Sequence, residues 1–175
     1  MTIPSMDANA THDSKSSASA LRFNAHAIDV YCYNTVWCRV IYNESNLSPL
    51  NAEEKPSPSP RSADYKDHWG QASYLGVRNF PVPAKVIWVS LDGVEHEAEV
   101  DIGAIFKDER VLCRVPDSEI SQDSFGGEPD IFLEVNDRTI NVYMRAFIPT
   151  KTEQVAGNKH STFRKDLILA WSHIY

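Results

Sequence analysis

The chain lacks several things, and each absence removes a class of function. No run approaches the ~20 apolar residues that a membrane-spanning helix requires. Basic charge is short: 17 Lys and Arg stand against 24 Asp and Glu, for a net charge of -7. A general nucleic-acid binder needs the reverse balance to neutralise phosphates, so no nucleic-acid partner is expected. The three cysteines, Cys32, Cys38 and Cys113, are an odd count, contain no CxxC and do not read as a disulfide framework or a zinc site. The six histidines are scattered, with no His-x-His pair, and there is no HExxH, GxSxG, P-loop or GxGxxG pattern. No metal, no cofactor and no catalytic residue is therefore expected. The first 20 residues hold neither an apolar core nor an early basic cluster of the kind a secretory signal shows, which leaves a cytoplasmic location open beside a periplasmic one.

What is present is a β pattern. Residues 1–20 are small and polar and are expected to form a disordered tail, with one domain over residues 21–175. Ala27 to Tyr42 (AIDVYCYNTVWCRVIY) is rich in β-branched and aromatic residues and reads as two strands about a turn at Asn34-Thr35. A three-residue hairpin loop would set Cys32 opposite Cys38; a two-residue loop would put them on opposite faces, so a disulfide between them depends on register. Residues 43–66 form a loop with alternating prolines at Pro56, Pro58 and Pro60. KVIWVSL, Asp92-Gly93 and VEHEAEVD predict a hairpin with a type I′ turn, its first strand central because it is apolar on both faces. Asp101 is positioned to cap one helical turn. RVLCRV is a further strand, and DIFLEVN with TINVYMRAFI predicts a second hairpin. Near the C-terminus, Phe163, Leu167, Ala170, Trp171 and Ile174 fit a helix while Leu167, Leu169 and Trp171 fit one strand face. The expectation is a mainly β fold, an antiparallel sandwich or open barrel with little helix; a C-terminal helix would make it α+β.

The most distinctive chemistry lies on the second strand of the Asp-Gly hairpin. Glu95, Glu97, Glu99 and Asp101 alternate with His96, Ala98, Val100 and Ile102, so all four carboxylates share a face. At about 6.8 Å between successive carboxylates they are too far apart to share a proton, but they suit a row of Lys or Arg on a partner. Charge on such a strand also blocks edge-to-edge aggregation. Tyr65, His68, Trp69 and Tyr74 lie near loops and are candidates for a second contact, while an aromatic at a strand end equally serves as core.

Asp29-Val30-Tyr31-Cys32-Tyr33-Asn34 resembles the "v-x-Y-N-Y-T" opening of small bacterial β proteins encoded beside type VI secretion effectors, notably lipases. Pro83 to Gly93 is similar to the "P-x-x-V-x-V-x-W-x-S-L" strand of related lipoproteins, and Asp130 to Met144 fits the late strand pair. The resemblance implies an immunity protein, which occludes a cognate toxin and needs no catalytic residue. Such proteins commonly carry an export signal and an acylated cysteine. Two other functions are expected to compete with it: a carbohydrate- or ligand-binding module using Trp37, Trp69 or Trp88 as stacking platforms, and an enzyme with a spatially assembled site around Cys113 or a carboxylate.

Overall fold

The computed structural model describes residues 17–121 and 125–175, with 17–20 as backbone only. The strands are β1 (Ser17–Arg22), β2 (Ala25–Tyr33), β3 (Thr35–Tyr42), β4 (Ser45–Asn46), β5 (Tyr74–Arg78), β6 (Ala84–Ser90), β7 (Glu95–Val100), β8 (Arg110–Cys113), β9 (Asp130–Asn136), β10 (Thr139–Arg145), β11 (Ile148–Pro149), β12 (Phe163–Arg164) and β13 (Leu167–Ile174). One short helix, α1 (Ile102–Ile105), lies between β7 and β8 and is capped by Asp101, whose Oδ1 accepts from the Ala104 amide at 2.9 Å. Residues 17–20, expected in a disordered tail, are strand instead: β1 begins at Ser17 and pairs with β8, while the rest of the expected tail, residues 1–16, lies outside the described residues.

Two sheets carry the architecture. The larger runs β13-β10-β9-β2-β5 and the smaller β4-β3-β6-β7. Their inward faces meet in one apolar cluster, in which Trp88, Tyr42, Ile28, Ile131, Leu133, Ile140 and Met144 are fully buried. Each such side chain contributes about 1.5–3 kcal/mol of transfer free energy. The mainly β, sandwich-like expectation is borne out, with one departure from an all-antiparallel arrangement. β2 and β9 run parallel from Ala27↔Asp130 to Tyr33↔Asn136. Both are central strands, and the interior of β9 is buried on both faces, as parallel strands require.

The parallel pair exists because β2 does not fold back on β3. The chain turns at Asn34, which takes φ 51°, and crosses to the other sheet. Asn34 is fastened there by its Nδ2 donating to Asn136 Oδ1 (2.8 Å) and its amide donating to Pro58 O (3.2 Å). A Cys32–Cys38 disulfide forms, with Cα atoms 6.6 Å apart, but as a link between sheets. The hairpin registers considered from sequence do not apply, because the two strands share no ladder.

The Asp-Gly hairpin is also built differently. Ser90 pairs with Val94 through its amide (3.0 Å), Gly93 donates to Ser90 O (2.9 Å), and only Gly93 among the loop residues has positive φ, 81°. This is a three-residue loop with a glycine bulge, not a type I′ turn. The Asp92 carboxylate accepts from the Val94 amide (3.2 Å) and from the Ser90 hydroxyl, which holds the loop in that form. At the C-terminus the helical alternative is overturned. β13 pairs with β10 from Thr139↔Ile174 to Arg145↔Leu167, with a bulge at Ala170. An open edge on β10 and the apolar core beneath it override the helical spacing.

Candidate functional site

The two sheets present very different outer faces. That of the larger sheet is roofed by the segment that contains the 3₁₀ turn Tyr65–His68. Trp69, only 6% exposed, stacks on Tyr31 (4.4 Å between centroids) and packs against Phe132 and Tyr143. Its carbonyl accepts from Arg145 Nη1 at 3.0 Å, and Arg145 also reaches Gly70 O and Asp130. The Tyr65 hydroxyl donates to Glu134, a fully buried carboxylate that also accepts from Asn141 Nδ2 (3.0 Å) and the Tyr143 hydroxyl (3.3 Å). Burial, and then the Glu134 hydrogen bond, push the Tyr65 phenol well above its ordinary range.

These contacts decide the role of the expected aromatic patch. Trp69 is a roof anchor and not an exposed contact, because the polar 56–73 segment needs a large apolar side chain to bury. Tyr65 is half-buried beside it. His68 is exposed and lies 3.5 Å from Asp64. Tyr74 is elsewhere: its hydroxyl meets Ser45 Oγ (3.0 Å) and Asn43 Nδ2 (3.3 Å), tying β5 to the turn before β4. Tyr31, Tyr33, Tyr65 and Trp69 do enclose a cleft of ≈ 560 Å³ with Arg61 and His68 at its margin. Burial and the nearby Asp29 raise the Tyr31 phenol to about 12.

The outer face of the smaller sheet is open. Strand alternation and the ladder registers place nine side chains on it in three rows: Trp37, Val89 and Glu95; Arg39, Ile87 and Glu97; Ile41, Lys85 and Glu99. Trp37, Ile41, Ile87 and Val89 are half-buried and belong to neither buried cluster. Arg39 lies over the Trp37 ring at 5.3 Å and pairs with Glu53 at 2.6 Å. That bond, followed by one from Asn46, lowers the Glu53 pKa. Lys85 Nζ meets Glu97 Oε1 at 2.9 Å. Leu91 (60% exposed) and Val94 (49%) extend the apolar surface at the hairpin tip.

The acidic row thus stands where the alternation put it, on an edge strand with Glu95, Glu97 and Glu99 exposed. Asp101 is exposed too but has left the ladder to cap α1. Sequence reasoning missed the apolar middle. It took β6 as central and so as covered on both faces. β6 is central, between β3 and β7, yet only its Val86, Trp88 and Ser90 face is buried. The alternation of Lys85, Ile87 and Val89 against the glutamates was the available signal.

The other candidate groups are placed as follows. Cys113 is buried, its Sγ 3.5 Å from Val115 O, where a thiol is inert. Trp88 is fully buried, its Nε1 donating to Asp137 O at 2.7 Å, and offers no face to a sugar. Among the described residues no group of three or more His, Cys, Asp or Glu is gathered as a metal site, and no helix is long and apolar enough to cross a membrane. No family model, no curated protein and no solved structure matches this chain.

Proposed function

We propose that this protein is a binding protein that neutralises a secreted antibacterial effector by occluding it, in the manner of an immunity protein, without catalysis. The observation that carries the reading is the open outer face of the smaller sheet. It has a half-buried apolar middle (Trp37, Ile41, Ile87, Val89), a cation stacked on the tryptophan, and an acidic margin along β7. Stable interfaces have this anatomy, an apolar centre with a charged rim, and Trp and Arg are common among their dominant residues. The Glu95–Glu97–Glu99 row favours a partner whose matching surface is basic and suits fast, salt-sensitive association. The disulfide between the sheets fits an oxidising compartment such as the periplasm, where antibacterial effectors act.

The test is protection. The gene is co-expressed with the toxin encoded beside it, in cells the toxin kills, and binding is measured with purified proteins. The wild type is expected to restore growth. Ile87→Lys with Glu97→Lys is expected to lose protection while keeping its circular dichroism spectrum. Full protection by that variant, or no effect of the wild type on the neighbouring toxin, overturns the proposal.

A second reading has one observation in its favour, the aromatic cleft beside Tyr31, Tyr33 and Tyr65. It makes the chain a module for a small ring-shaped ligand such as a sugar. Quenching of tryptophan fluorescence by sugars, lost in Tyr33→Ala, would support it.

A further inference from the structure

We propose that the cleft between Tyr31, Tyr33 and Tyr65 binds a six-membered ring that carries a carboxylate. The proposal rests on the second reading above, that the cleft takes a ring, and names the chemical class of that ring. The enclosed space of ≈ 560 Å³ is of ligand size, since small-molecule sites run to roughly 300–1,000 Å³ with apolar walls and a few placed polar groups. Tyr31 and Tyr33 lie parallel, 6.3 Å between centroids, and Tyr65 meets Tyr33 edge to face at 5.1 Å. The walls are therefore flat and set at an angle to one another. They are also fixed in advance. Glu134 holds Tyr65 through its hydroxyl, and Arg145 holds the Trp69 carbonyl behind Tyr31, so little ordering is left for a ligand to impose.

The unspent hydrogen bonds select the ligand. Three side chains at the cleft hold donors without an acceptor among the described residues. The Tyr31 hydroxyl makes no hydrogen bond, the Tyr33 hydroxyl accepts from Trp69 Nε1 (3.0 Å) and keeps its own proton, and the exposed Arg61 forms no ion pair. Burial raises both phenols, Tyr31 to about 12, so both remain donors at neutral pH. The nearby acids are already engaged. Glu134 accepts from Tyr65, Asn141 and Tyr143, Asp130 pairs with Arg145, Asp29 accepts from Ser73 Oγ (2.7 Å), and Asp64 lies 3.5 Å from His68. None of them is among the described residues that line the cleft. In a chain of net charge -7, a lining with an arginine and no acid is a local reversal of sign. A neutral sugar brings hydroxyl protons that need acceptors, and this cleft has no carboxylate to take them. A carboxylate only accepts: it matches the two phenols and can be gripped by the guanidinium at both oxygens, while its ring lies against the tyrosines.

The test is a nuclear magnetic resonance titration of the full chain with four probes: benzoate and its neutral counterpart benzamide, glucuronate and its neutral counterpart glucose. The indole N–H of Trp69 is the reporter, because it donates to Tyr33 at the site, and Trp69→Phe assigns its resonance. At least one acid is expected to bind roughly tenfold or more tightly than its neutral counterpart, and which acid does so tells an aromatic ring from a sugar ring. Arg61→Gln is expected to reduce that preference to about twofold or less, and Tyr31→Phe to weaken the acid severalfold, with thermal melting checking that both variants fold. Equal binding of acid and neutral ring, or a preference that survives Arg61→Gln, overturns the carboxylate while leaving a ring-binding cleft. No shift with any of the four probes overturns both.

Discussion

Reducing the Cys32–Cys38 bond perturbs the fold at one point and removes no heavy atom. Because the bond joins the sheets at the Asn34 corner, opening it frees that corner in the unfolded chain. The sequence separation is 6, so the closed loop holds about seven residues. For that length the loop-entropy relation gives about 8 cal/mol/K, or about 2.4 kcal/mol at 25 °C. A domain of this size moves by roughly 2–4 °C per kcal/mol, so the melting midpoint should fall by roughly 5–10 °C on reduction. Calorimetry with and without dithiothreitol measures it, and Cys113, already a thiol, is unaffected. Alkylation of the unfolded, unreduced protein should label one thiol. Three labelled thiols, or midpoints that coincide within a degree, would refute the reasoning: either the bond is absent or the corner is fixed by Asn34 alone. Cys32→Ala with Cys38→Ala should cost more than reduction, because both positions are buried and each substitution adds a small cavity.

Trp69→Ala should destabilise by about 3–5 kcal/mol, the range for a large buried aromatic, and should shift the near-ultraviolet circular dichroism of the Tyr31 stack. Glu134→Ala leaves the hydroxyls of Tyr65 and Tyr143 and the amide of Asn141 without their acceptor and should cost about 3 kcal/mol or more, measured by urea denaturation. His26 is fully buried between Asn79 and Tyr42, and burial lowers its pKa from the ordinary 6.5 against the raising effects of Asn79 and Glu128. The folded state therefore binds its proton less readily than the unfolded state does. Its contribution to stability is complete above pH 6.5 and is lost as the pH falls below that value, so His26→Gln should flatten the acid limb of a melting-versus-pH curve. Reversing Glu97 and Glu99 to Lys should lower the unfolding free energy by no more than about 1 kcal/mol, the cost of losing the exposed pairing with Lys85, while weakening the proposed basic partner and reversing the salt dependence of its binding.

Local alternation was enough to read most of the strands, because period two is imposed by backbone geometry alone. It identified β6, the two opposed faces of β7, the β9–β10 pair and the helix cap at Asp101. What it could not read were choices made by distant residues. β2 and β3 look like a hairpin in isolation, yet Asn136 and Pro58, remote in sequence, hold the Asn34 corner open and send the strands to different sheets. β13 carries helical and strand periodicities at once, and the vacant edge of β10 decided between them. The aromatic site shows the same limit. Trp69 in a polar loop looks exposed until Tyr31, Phe132 and Arg145, from three strands, are brought beneath it.

That difference in cover between the two sheets bears directly on the proposed function. Both outer faces alternate apolar and polar residues, so both would be expected to recruit a roof. The larger sheet has one, at the entropic expense of ordering the 56–73 segment, and that segment supplies Glu134 with the Tyr65 hydroxyl and Arg145 with the Trp69 and Gly70 carbonyls. The smaller sheet places Arg39 and Lys85 among its apolar residues and glutamates along its edge, each able to stay hydrated. Such a face is stable when open and still has Trp37, Ile87 and Val89 to bury against the proposed partner. A face that must be soluble alone and apolar in complex is best built as this one is, with charged side chains interleaved among half-buried ones, and a neutralising substitution such as Glu97→Ile should convert it into an aggregating surface, seen as concentration-dependent light scattering.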